Sequence, residues 1–110
     1  RATDPEIDMF FKKIHQVAAR DWESWVAEND AVVLDVREPH EWAQGILAGA
    51  RKVQLTMLPD ALASLEPTRP VLVVCRSGNR SQHAAKFLVD QGFANVANLS
   101  GGMRALGLAV

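Results

Sequence analysis

One cysteine stands in this 110-residue chain, Cys75, within the run "VLVVCRSGNRS" at residues 71–81. Three kinds of chemistry are open to it. It can be a small buried hydrophobe, a metal ligand, or a nucleophile. The metal reading lacks partners: a cysteine-rich zinc site needs more sulfur, and His15, His40 and His83 are scattered without ligand spacing. Neither a metal nor an organic cofactor is expected. An internal disulfide would need a second cysteine, and a lone thiol suits a reducing, cytoplasmic setting, with the periplasm as the alternative.

On the cysteine alone, core thiol and nucleophile stay open. The five residues that follow, Arg76, Ser77, Gly78, Asn79 and Arg80, shift the balance. Gly78 and Asn79 tolerate positive φ, so the loop can curl with its amides turned inward, and such a nest binds anions. A helix starting near Arg80 would add its positive end, and Arg76 and Arg80 would add two charges. All three effects favour thiolate over thiol, so a lowered thiol pKa is expected. A core cysteine has no use for two arginines and a glycine turn at its back. A nucleotide P-loop is not matched, because the glycine-lysine-serine ending is missing.

The elements that must position this loop read as an alternation. Asp4, Pro5 and Glu6 can start a helix, with Ile7, Phe10, Phe11, Ile14 and Val17 on one face. Trp22, Trp25 and Val26 suit a second, short helix broken at Asn29 and Asp30. "AVVLDV" at 31–36 and "VLVV" at 71–74 are continuous apolar runs, the pattern of parallel strands buried on both faces. "EPHEWAQG" at 38–45 and "LPDALASLEP" at 58–67 read as short helices, and "KVQL" at 52–55 as a short strand. The helix at 81–92 is the best formed, with Ala84, Phe87, Leu88 and Gln91 in a stripe and Gly92 as C-cap. "NVANL" at 95–99 gives another strand, and "GGMRALG" at 101–107 a glycine turn into a short helix. The alternation predicts an α/β domain with a mostly parallel central sheet. Sites in such sheets gather outside the carboxyl ends of the strands, which is where Asp35 and Cys75 fall.

Several segments together resemble the rhodanese family, specifically the small single-domain thiosulfate and persulfide sulfurtransferases. They are "DVREPHEW" at 35–42, "GILAGARKVQL" at 45–55, "VVCRSGNRS" at 73–81 and "LSGGM" at 99–103. The resemblance runs from about Val17 to the C-terminus. It implies a three-layer rhodanese-like domain over 17–110, preceded by an N-terminal helical extension over 1–16. It also implies that Cys75 takes up a sulfane sulfur as a persulfide, and that the backbone amides from Arg76 to Arg80 hold the terminal sulfur. Arg76 and Arg80 would attract a small anionic sulfur donor. Ser81 would belong to the same loop or cap the helix after it. Asp35 and Arg37 would support the loop from the neighbouring strand end, as a structural pair rather than as catalysts. The acceptor would be cyanide, a thiol or a protein cysteine, in a ping-pong sequence.

Two alternatives share the architecture. Cysteine-dependent phosphatases and arsenate reductases carry one more loop residue between cysteine and arginine, whereas four residues separate Cys75 from Arg80 here. The smaller ring suits a single sulfur better than a tetrahedral oxyanion. A sulfur-relay or docking module is the other reading. The family's usual glycine-histidine-isoleucine-proline segment is Gly45-Ile46-Leu47-Ala48 in this chain, and the tryptophan usual near the C-terminus is absent from "GGMRALGLAV". His83 is expected to pack or face solvent, and the three tryptophans to serve core or interface.

Bulk properties agree with a single small domain. Nearly half the residues (48%) are apolar, enough for a core. The net charge of −1 gives no reason to expect nucleic-acid or membrane-surface binding, and no apolar run approaches the roughly 18 residues that span a bilayer. The chain opens at Arg1 without a signal-peptide pattern, which fits a mature form or one domain with a neighbour in a longer chain.

Overall fold

A computed structural model describes residues 14–108. Five parallel strands form one sheet: β1 (His15–Val17), β2 (Val32–Asp35), β3 (Arg51–Lys52), β4 (Val71–Val74) and β5 (Val96–Leu99). Their spatial order is β1-β5-β4-β2-β3, so the two strands that precede Asp35 and Cys75 lie side by side at the centre. All four residues of β2, β4 and β5 are buried, as continuous apolar runs covered on both faces require. The helices are α1 (Trp22–Asn29), α2 (Pro39–Trp42), α3 (Leu58–Ala61) and α4 (Asn79–Asp90).

Side chains alternate across the sheet into two apolar layers. One holds Leu34, Val71, Val73 and Cys75 against Leu58 of α3 and Ala84, Ala85 and Leu88 of α4. The other holds Val33, Leu72, Val74, Ala97 and Leu99 against Met103 and, at its margin, Trp22 and Trp25 of α1. Trp22 and Trp25 are thus core-edge residues, and Leu106 packs at that same margin. Continuing the alternation of β4 aims Cys75 at α4.

Three elements differ from the sequence expectation. Most of the expected N-terminal helix lies outside the described residues, but its last position, Val17, is in β1, paired with Leu99 of β5. An edge strand of three residues needs only one inward apolar side chain, and a helical spacing can supply it by coincidence. The expected strand at 52–55 contracts to Arg51–Lys52, because Leu55 already starts a helical turn at Leu55–Met57. The glycine turn at 101–107 leads into a single 3₁₀ stretch, Met103–Leu106. The altered segment after α2 remains anchored, since Leu47 is buried in the second apolar layer.

Candidate active site

β4 ends at Val74 and α4 begins at Asn79, leaving Cys75 to Gly78 as a tight connection. Gly78 occupies the N-cap position with φ of 99°, the left-handed region where glycine is strain-free. A Cβ there would also sit 3.1 Å from the Gly101 nitrogen. The curl turns amides toward the sulfur. Gly78 N–H donates to Cys75 Sγ at 3.1 Å and Ser81 N–H donates at 3.3 Å. Ser81 Oγ lies 3.2 Å from the same sulfur. Burial of Cys75 pushes its thiol up, but hydrogen bonds from the Ser81 hydroxyl and the Ser81, Gly78 and Ser77 amides outweigh it and hold the pKa below the ordinary cysteine value.

Ser81 is neither an exposed loop residue nor a helix cap. It is the third residue of α4, fully buried, and its Oγ, besides facing the sulfur, is within donating reach of Asn98 Oδ1 on β5. The positions exposed to an incoming molecule are Arg76, Ser77 and Asn79. Arg80 is committed elsewhere: its Nη1 and Nη2 donate to Glu41 Oε1 and Oε2 of α2, at 2.6 and 2.8 Å. That fork holds Glu41 down at about 2, through the Arg80 hydrogen bonds acting against partial burial. It also raises Arg80, with a smaller contribution from the nearby Cys75.

Asp35 and Arg37 form a fully buried ion pair. Arg37 Nη2 lies 2.9 Å from Asp35 Oδ2, and Nε contacts Asp35 Oδ1 at 3.0 Å. The remaining Arg37 donors reach the Glu41 and Gly45 carbonyls, at 3.4 and 2.7 Å. The pair therefore supports the loop through α2, which carries Glu41 to Arg80. α2 is itself closed by a capping box between Glu38 and Glu41.

Some residues that build the site carry no role in the sequence expectation. Glu41 lies in the segment at 35–42 without an expected part in the site, and Asn98 and Gln16 belong to no motif; each reaches the site from a distant part of the chain. Asn98 left one signal, a polar side chain at an inward position of an otherwise apolar strand. The segment 99–104 clamps the loop from behind: Met103 N–H donates to the Cys75 carbonyl at 2.9 Å and Arg104 N–H to the Arg76 carbonyl at 3.0 Å. Gly102 (φ 64°) makes this approach possible, since a Cβ would overlap the Arg76 carbonyl and come within 2.6 Å of the Cys75 oxygen. His83 is exposed on α4. Beside the loop lies an open groove of about 320 Å³, lined by uncharged residues that include Gln16, Ser77, Asn79, Gln82 and Asn98. Among the described residues no cluster of metal-ligating side chains occurs, and no helix is long and apolar enough to cross a membrane.

Residues 18–108 match the family model described as "Rhodanese-like domain". The chain is 43% identical over 72 residues to thiosulfate sulfurtransferase GlpE of Stutzerimonas stutzeri, a stretch covering 66% of each protein. It thus spans just under two thirds of that relative's length. A rhodanese-like domain protein from Staphylococcus aureus superposes with a TM-score of 0.79 at 26% identity, over 87% of this chain and 94% of that one. A protein of unknown function from Rhodopseudomonas palustris, described as a possible tyrosine phosphatase, superposes with a TM-score of 0.74 at 23% identity, over 97% and 92%. That likeness shows a shared fold and nothing finer.

Proposed function

Because the chain belongs to the rhodanese-like domain family, we propose that it is a sulfurtransferase working through a persulfide on Cys75. One observation carries the reading: the Cys75 sulfur is held by inward-turned loop amides, Gly78 N–H and Ser81 N–H at 3.1 and 3.3 Å. The Cys75 thiolate attacks the outer sulfur of thiosulfate or another persulfide donor. The donor's S–S bond breaks, and sulfite or a thiolate leaves with the electron pair. A second nucleophile (cyanide, a small thiol or a protein cysteine) then attacks the outer sulfur of the persulfide, and the electron pair returns to Cys75 Sγ.

The loop amides hold the terminal sulfur, and Arg76, Ser77 and Asn79 meet the small anionic donor. Arg80, bound by Glu41, shapes the loop rather than greeting the donor, and Asp35 with Arg37 braces α2. Neither transfer step calls for a metal or organic cofactor. A reducing compartment such as the cytoplasm suits the resting thiol.

The test is mass spectrometry after incubation with thiosulfate. One added sulfur on Cys75, removed by cyanide and absent from Cys75→Ser, is the expected result. No adduct, together with hydrolysis of an aryl phosphate, would overturn it in favour of the phosphatase reading. Slow turnover with small acceptors beside fast transfer to a protein thiol would make the chain a sulfur relay.

A further inference from the structure

Ser81 Oγ has one hydrogen and two acceptors that want it. Asn98 Oδ1 lies on one side and Cys75 Sγ, 3.2 Å away, on the other. The orientation of the Asn98 amide is fixed by its other end. Asn98 Nδ2 faces the Gly78 carbonyl at 3.3 Å and Gln16 Oε1 at 3.1 Å. A carbonyl only accepts, so the amide nitrogen must face it and Oδ1 must face Ser81. Gln16 is anchored in turn, its Nε2 donating to Gln82 Oε1 at 2.8 Å. The chain of hydrogen bonds runs one way, from the buried hydroxyl through Asn98 and Gln16 to the surface of α4.

We propose that Asn98 is a positioning residue for sulfur transfer, which draws the Ser81 hydrogen toward itself and so makes that hydroxyl a two-position rotor beside Cys75. This deepens the persulfide reading and rests on Cys75 being the sulfur carrier. In the first step the sulfur attacks, and an undonated lone pair is the better nucleophile. Turning the hydroxyl to Asn98 leaves it so. In the second step the acceptor takes the outer sulfur, the Sγ–S bond breaks and its electron pair settles on Sγ. Turning the hydroxyl to the sulfur then supplies a donor to the leaving thiolate. A lone serine would remain turned to the anion; the competing Oδ1 makes the exchange nearly balanced.

The neutral setting on this side isolates the effect. The charged groups around Cys75 lie on other sides of it: Arg80 of α4 paired with Glu41 of α2, the Asp35–Arg37 pair at the end of β2, and Arg76 in the loop. β5 and β1 present Asn98 and Gln16, which do not titrate.

The experiment titrates the single thiol by its thiolate ultraviolet absorbance, without any sulfur donor, so its outcome is independent of whether the chain loads sulfur. Asn98→Leu should raise the thiolate-to-thiol ratio at fixed pH by roughly threefold to tenfold, the scale of a partial gain of one charge-assisted hydrogen bond. Ser81→Ala should lower that ratio, and the double variant should behave as Ser81→Ala alone. Iodoacetamide alkylation per thiolate should slow in Asn98→Leu. Should Asn98→Leu fail to fold, Gln16→Met removes one of the two anchors of the Asn98 amide and predicts a smaller rise with the same dependence on Ser81. A shift that persists without the Ser81 hydroxyl, an unchanged ratio or a fall would each overturn the proposal.

Discussion

Two polar clusters flank the Cys75 loop, and they are built from opposite materials. On the β2 side stand two ion pairs, Asp35–Arg37 and Glu41–Arg80. On the β5 side stand a hydroxyl and amides, Ser81, Asn98 and Gln16, with the backbone of Gly102 and Met103 behind them. The ionic cluster holds more charge, yet its charges are spent on each other and on the Glu41 and Gly45 carbonyls. The neutral cluster holds none, yet it meets the sulfur directly through oriented dipoles. The reacting atom is governed by the weaker groups because they are the ones aimed at it. The ionic side fixes where the loop lies; the neutral side fixes what the sulfur feels.

The largest expected effect tests the first half of that division. Arg37→Met would leave the Asp35 carboxylate buried without its partner. Breaking a buried pair in this way costs about 3–5 kcal/mol, which for a domain of this size approaches the whole stability. Urea unfolding should show the midpoint collapse. A loss below about 1 kcal/mol would mean that α2 is held by its capping box and apolar contacts instead. Thiol ionisation in the fraction still folded should stay close to that of the unaltered chain.

Gly102→Ala strikes the neutral side through the backbone. The added Cβ meets the Cys75 and Arg76 carbonyls, which cannot recede without moving the loop they belong to. Misplacement of a reacting group by about 1 Å costs on the order of 100-fold in rate. The expected outcome is a drop of that size in persulfide formation from thiosulfate. The unfolding midpoint should shift less than for Arg37→Met. Equal damage to stability from both variants would erase the distinction between scaffold and sulfur environment.

Glu41 carries a pH signature. Arg80 holds its carboxyl at about 2, against an ordinary 4.5. A depressed folded-state pKa contributes stability that is complete above about 4.5 and is lost as pH falls through the window down to about 2. With Arg80 one-third exposed (33%), solvent screening limits the contribution to about 1–2 kcal/mol. Glu41→Gln should therefore lower stability by that amount at neutral pH and flatten the acid limb of the stability curve below pH 4.5. An unchanged acid limb would show that the fork adds nothing.

What the sequence made legible follows the range of the interactions. β2 and β4 could be read because burial on both faces writes an unbroken apolar run, and the loop could be read because Cys75, Gly78 and Ser81 meet within seven residues. β1 could not, since only Val17 of its three residues is buried. The expected field of free arginines also changed in three dimensions, because Arg80 meets Glu41, 39 positions away. Ser81 reads locally as a cap, and only the approach of β5 makes it a partner of the sulfur. Gly102 reads as a turn glycine, although what it permits is contact with a loop more than 20 residues earlier.

The smallest predicted effect separates the two clusters most cleanly. Raising salt from 0.1 to 1 M shortens the screening length from about 10 to about 3 Å. Exposed charges acting on the sulfur from a distance would be muted, and the thiolate fraction at fixed pH would fall. Amides at 3.1 and 3.3 Å, inside the protein, are not screened. The thiolate-to-thiol ratio of Cys75 should therefore change by less than about twofold across that range, beneath what a long-range arginine field would give. A larger fall would return control of the sulfur to Arg76 and Arg80, and with it to the ionic side. An insensitive ratio leaves the oriented dipoles of Gly78 and Ser81 as the groups that make this cysteine a thiolate.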